Sequence, residues 1–180
     1  EIIDLVAALS GAYHALGGRL HPRSAAGLAG MGRVMNCYYS TQIEGHNTTP
    51  REIEGALSGD LAPTEERRNL QIEARAHIRL QRAIDRQFAA AELSEPASTD
   101  FILWLHRAFY QDAPEAMLLI AGAGRQMRMT PGEFRTGDDQ QVTVGRHQPP
   151  SPDAVPAFMA HFERLYRFAT LGAGSRIMAI

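Results

Sequence analysis

The sequence predicts a mainly α fold carrying one small β-hairpin, and three observations predict it. Apolar residues recur at helical spacing through most of the chain. The runs begin at residues suited to open a helix, such as Ser24, Thr49, Thr64, Ser98 and Ser151. A β-branched alternation, Val142-Thr143-Val144, stands out in an otherwise helical pattern.

Taken in order, Ile2, Ile3, Val6, Leu9 and Tyr13 share one face of a first helix, which Gly17-Gly18 ends. Pro22-Arg23-Ser24 breaks the chain, and Ser24 is the expected N-cap of a second helix over about 24–45, with Leu28, Met31, Val34, Met35, Tyr38 and Ile43 as its buried stripe. Thr49-Pro50-Arg51-Glu52 has the form of a capping box with proline at the first helical position, opening a short helix to about Leu57. Thr64-Glu65-Glu66-Arg67 opens a longer helix to about Ala90, whose alternating Glu and Arg residues read as a solvated face. After a linker from Ser94 to Ser98, a helix carries Phe101, Leu103, Trp104, Leu105 and Phe109, with Trp104 expected in the core. Pro114 opens a short apolar stretch. A hairpin is expected over about 133–146, followed by the extended His147-Gln148-Pro149-Pro150 and a last helix after Ser151. Ser175 looks like the start of one more helix.

The bulk chemistry narrows the function. The 180 residues suit one compact domain, perhaps with a small helical annex, and 44% apolar residues can fill a core. A formal net charge of -2 argues against a general nucleic-acid or anionic-membrane binder. All 18 basic residues are arginine, which rules out lysine Schiff-base chemistry within the chain. Cys37 is the only cysteine, so no internal disulfide and no thiolate zinc cage can form, in keeping with a cytoplasmic protein. No membrane-length apolar run or signal-peptide pattern is present. The chain opens on Glu1, and further residues are expected upstream. The histidines show no mutual metal-ligand spacing, and the Gly-Ala-Gly runs at 122–124 and 172–174 lack the rest of a dinucleotide fingerprint.

One stretch carries a candidate function. In Ser40-Thr41-Gln42-Ile43-Glu44-Gly45, the hydroxyl of Ser40 and the carboxylate of Glu44 lie four residues apart, on one helix face, and Gly45 can end the helix in a left-handed conformation. By itself this is a helix end with a polar face. Its carboxylate opposes the helix dipole, a local conflict of the kind found at functional positions.

Together with Gly132-Glu133-Phe134-Arg135, Val142-Thr143-Val144-Gly145, His147 and Pro149-Pro150, in that order and spacing, the stretch resembles the Fic (Fido) family of protein adenylyltransferases. Ser40 to Gly45 is similar to that family's autoinhibitory motif, and the resemblance spans about residues 35–170. It implies an N-terminal helical region over 1–95 that includes the inhibitory helix, and the front part of a Fido domain over 96–180 with a flap hairpin at about 133–146. It implies transfer of AMP from ATP, with Mg2+, to a hydroxyl side chain of a target protein. Val142, Thr143, Val144 and Gly145 would border the nucleotide while the flap edge holds the target segment. Glu44 would inhibit by pairing with an arginine that otherwise holds the ATP γ-phosphate, and Ser40 would steady the helix end. Implied partners are ATP and an unidentified target protein, with a homodimer allowed, no membrane and no nucleic acid. The family's histidine-proline-phenylalanine motif and its glycine-asparagine-glycine-arginine loop are absent, so no catalytic residue and no magnesium ligand is expected in these residues, and the 180-residue chain alone is expected to be inactive. The alternative is a non-catalytic Fic-derived module that binds a partner strand at the flap edge.

Overall fold

The structure is a computed structural model and describes residues 2–122, 125–137, 140–143 and 145–172. Its elements are α1 (Ile2–Gly17), α2 (Pro22–Ile43), α3 (Pro50–Ser58), α4 (Glu65–Ala89), α5 (Thr99–Tyr110), α6 (Glu115–Leu118), β1 (Leu119–Gly122), β2 (Arg125–Arg128) and α7 (Val155–Tyr166), with 3-10 turns at Pro152–Ala154 and Phe168–Thr170. The fold is mainly α, with one antiparallel two-stranded sheet among the described residues. The helix expected from Ser175 lies outside the described residues.

The hub is α4, against which α2, α3 and α5 pack. Gln71, Ala74 and Ile78 lie along one stripe of α4 and are buried, the small Ala74 between two larger side chains. Ala74 and Ile78 join Cys37 of α2 and Ile53 of α3 in a core with no solvent exposure, walled by Val34, Tyr38 and Leu57. Each buried isoleucine there contributes about 1.5–3 kcal/mol of transfer free energy. Gln71 satisfies three backbone groups from inside the fold. Its carbonyl accepts from the Ala62 N–H at 2.6 Å, and its amide donates to the Glu52 and Asp60 carbonyls at 3.3 Å each. It thereby ties α3 and the turn after it to α4.

The caps show why the helices start and stop where they do. Thr49 and Glu52 form the full capping box, with the Thr49 N–H on Glu52 Oε2 at 2.8 Å and the Glu52 N–H on Thr49 Oγ1 at 3.3 Å. Ser98 Oγ accepts the Phe101 N–H at 3.2 Å and starts α5. At the other end of α5, Arg79 of α4 donates to the Ala108 carbonyl at 2.8 Å and pairs with Asp112, placing a cation where the helix dipole favours one. The start of α2 differs from expectation. Pro22 occupies the first turn and His21 caps it through Nδ1, which accepts the Arg23 N–H at 3.2 Å, so Ser24 lies inside the helix. Thr64 stands at the N-cap of α4 without a side-chain cap bond.

Two expectations are corrected. The hairpin is not at 133–146 but upstream, where Leu119 pairs with Arg128, Ile120 with Met127, Ala121 with Gln126 and Gly122 with Arg125. The Met129 N–H on the Leu118 carbonyl at 2.8 Å extends the ladder. In 133–146 the described residues form no strand, and part of the segment makes other bonds. Thr136 donates to the Gln140 side chain, the Gln140 N–H bonds the Gly137 carbonyl at 3.2 Å, and the Arg135 guanidinium reaches across to the Pro150 carbonyl.

The second correction concerns burial. The face of α1 carrying Ile2, Leu9 and Tyr13 is exposed, and α1 buries no residue. In α2, Leu28, Met31 and Ile43 are also exposed, while Val34, Cys37, Tyr38 and Thr41 form the inward face. The helix meets the hub only over its second half.

Candidate functional site

The end of α2 is built by a Schellman motif. The His46 N–H reaches back to the Thr41 carbonyl at 2.8 Å and the Gly45 N–H to the Gln42 carbonyl at 3.0 Å. This geometry needs a left-handed residue after the cap, and Gly45 supplies it at φ 81° with open space around the position of a side chain. Glu44 is the C-cap itself, at φ -77° and ψ 0°, and its side chain is exposed. Ser40, one turn earlier, is half-buried and donates to Asn36 Oδ1 at 3.3 Å. Three candidate residues, Ser40, Glu44 and Gly45, therefore meet at one helix end. Among the described residues no arginine pairs with Glu44.

What lies beneath that helix end was not legible in the sequence. Glu73 of α4 is half-buried, with its Oε2 3.6 Å from His46 Nδ1. Burial holds the Glu73 carboxyl above the usual carboxylate range; His46 opposes that shift and the charge of Glu44 adds to it. The same carboxylate, after burial itself, helps push the Cys37 thiol up to about 11 and raises the Tyr110 phenol. Cys37 is thus a protonated core thiol, its Sγ 3.7 Å from the Ala74 carbonyl, and no nucleophile. The Nδ1 of His46 and the Oγ1 of Thr48 are buried with no hydrogen-bond partner among the described residues. Beside them a cleft of about 490 Å³ runs between Gly45, His46, Asn47 and the first turns of α4 at Glu66, Arg67 and Leu70. Glu73 escaped the sequence reading because it belongs to an alternating Glu and Arg pattern that looked solvated. The available signal was its position beside the apolar stripe of Leu70, Ala74 and Ile78.

The second group of candidates is placed differently. Val142 is half-buried and helps line a cavity of about 290 Å³, together with His106, Met127, Met129, Phe134, Arg135 and Val155. Thr143 and Gly145 are exposed, and Val144 lies outside the described residues. Gly145 takes φ 60°, but nothing lies within reach of the position of a Cβ there, so no close approach requires the glycine. The turn before them is anchored firmly. Gly132, at φ 80°, donates its N–H to His106 Nδ1 at 2.8 Å, and a Cβ there would sit 2.8 Å from Arg107 Cβ. Burial lowers the pKa of His106, consistent with a neutral ring that accepts at Nδ1. No hydrogen bond or ion pair among the described residues joins this group to the end of α2.

Among the described residues no group of three His, Cys, Asp or Glu side chains could hold a metal. No helix among them is long and apolar enough to cross a membrane. Compared with known proteins, the chain matches no family model, no curated protein and no solved structure. Fold and geometry therefore define the class directly: a mainly helical protein built on α4, displaying an acidic helix end above a half-buried glutamate.

Proposed function

We propose that the chain is the regulatory and target-holding part of a Fic-type protein adenylyltransferase, autoinhibited by Glu44. On this reading AMP passes from ATP to a hydroxyl of a target protein through a catalytic motif that is not among these residues. The reading takes the magnesium ligand and the base from that motif too, and no step is assigned to residues of this chain.

The observation that supports it best is the disposition of Glu44. Its carboxylate is exposed at a helix end fixed by the Schellman motif, and its charge adds to the upward shift of the Glu73 carboxyl. A carboxylate so placed is attracted to an incoming cation, and a guanidinium offers it a bidentate, charge-assisted pair that competes with phosphate for the same fork. In full-length protein, Glu44→Gly should raise self-modification with labelled ATP. The exposed side chain makes no bond that the fold needs, so unchanged modification in a folded variant would refute the inhibitory role.

A second reading, a non-catalytic module that binds a partner strand, is favoured by the sheet. Among the described residues the sheet has two strands, and the outer edges of β1 and β2 are available to an extended peptide. Full-length protein with no nucleotide transfer, but with peptide binding lost on shortening β2, would favour it.

A further inference from the structure

Two glutamates hold α7 to the body of the protein by one device used twice, in opposite directions. Glu163 of α7 accepts the N–H of Thr99, the first residue of α5, at 3.1 Å. Glu95, in the connection that leads into α5, accepts the Phe168 N–H on Oε1 at 2.8 Å and the Ala169 N–H on Oε2 at 3.3 Å, at the 3-10 turn that follows α7. Each segment thus lends a carboxylate to N–H groups that open a helical turn in the other, where the backbone has no partner of its own and negative charge is favoured. The Thr99 N–H holds the Glu163 carboxyl below the usual carboxylate range.

Among the described residues little else fastens this helix. No residue of α7 is buried. Its half-buried positions are Val155, Met159 and Glu163, one stripe at four-residue steps, so the inward face carries two apolar side chains and ends on a glutamate of the pair. The near end is fixed differently: Pro152 is buried, and the Pro150 carbonyl accepts from the Arg135 guanidinium. A helix that covers so little apolar surface opens at a free energy below that of global unfolding.

We propose that α7 and the turn after it form a strap, hinged at Pro152 and latched to the start of α5 by the paired glutamates, that opens and closes as one unit while the helices around α4 stay folded. The latches close a single ring. Residues 95–99 and 163–168 are short stretches of chain, so either carboxylate, once bonded, keeps the other in reach of its N–H groups, and losing one loosens both. Closure also sets one wall of the cavity of about 290 Å³, because Val155, next to the hinge, lines it.

Native-state amide hydrogen exchange of the full chain, read residue by residue, tests this. The Thr99, Phe168 and Ala169 amides should exchange through one common opening, faster than Ile78 in the hub. Glu163→Ala should speed exchange at Phe168 and Ala169 by about tenfold or more, although Glu163 bonds neither, as expected for the loss of a hydrogen bond to a charged group. Glu95→Ala should do the same at Thr99, and Ile78 should be unchanged in both. Arg167→Ala removes the exposed partner of Glu163 at 3.5 Å but neither latch, and should leave the three amides within about threefold. Substitutions that each speed only the amides their own carboxylate accepts overturn the proposal. Acceleration that reaches Ile78 to the same extent also overturns it, since α7 would then open only with the whole fold.

Discussion

Helices α1 and α4 invert the usual relation between composition and burial. Between Ile2 and Gly17 the only acidic side chain is Asp4 and the residues are largely apolar, yet none is buried. Between Glu65 and Ala89 the helix is rich in arginine and glutamate, yet it carries Gln71, Ala74, Ala76 and Ile78 into the interior. Apolar content therefore says that a helix needs a partner, while neighbours on several sides decide whether it has one within the chain. Helix α4 has α2, α3 and α5 around it, and even its charged residues are put to use, Arg67 pairing with Glu52 at 2.8 Å, Asp85 with Arg33 at 2.9 Å, and Arg79 with Asp112.

The sharpest way to break that comparison is to remove equal volumes from both helices. Ile78→Ala should cost about 2–5 kcal/mol in urea unfolding, through lost transfer energy and the cavity left behind. Leu9→Ala, measured where the protein is monomeric, should stay within about 0.5 kcal/mol. Comparable losses would mean that α1 is packed after all.

A smaller effect tests the turn that the hub anchors through α5. Gly132→Ala forces a side chain into the left-handed region and against Arg107, so about 1–3 kcal/mol should be lost in thermal or chemical unfolding. Gly145→Ala carries the first cost without the second, because its surroundings are open, and should be milder.

The smallest effect has a pH signature. Because burial raises the folded-state pKa of Glu73 above its unfolded value, the fold binds the protonated form better, and stability falls as pH rises from about 4.5 through the folded pKa. Glu73→Gln removes that loss. The variant's thermal midpoint should exceed the parent's at neutral pH, with the gap closing below pH ~4.5, where both side chains are neutral. A gap independent of pH would mean that packing, not ionisation, distinguishes the two.

Legibility followed the range of the interaction. The Thr49 and Glu52 box, the Ser98 cap, the Gly45 stop and most helix spans were readable because each bond joins residues within about one turn. The α2 N-cap was misjudged by three residues because His21, an unusual cap, did the work of Ser24. The hairpin was misplaced because strand propensity at Val142-Thr143-Val144 does not say which segments pair, and among the described residues it is 119–122 and 125–128 that do. Of the candidate site, Ser40, Glu44 and Gly45 were legible as a helix end, whereas Glu73 and His46, which set its electrostatics, come from separate elements.

By itself the sequence determined where most helices begin and end, that glycine suits position 45, and that Glu44 closes α2 in spite of the dipole, since these are settled by bonds between near neighbours. Only the tertiary structure decided that α4 is the hub, that the strands are 119–122 and 125–128, and that α1 stays bare. It alone placed a half-buried carboxylate under Glu44. Burial and strand pairing depend on which distant segments arrive at the same place, and local pattern carries no record of that arrival.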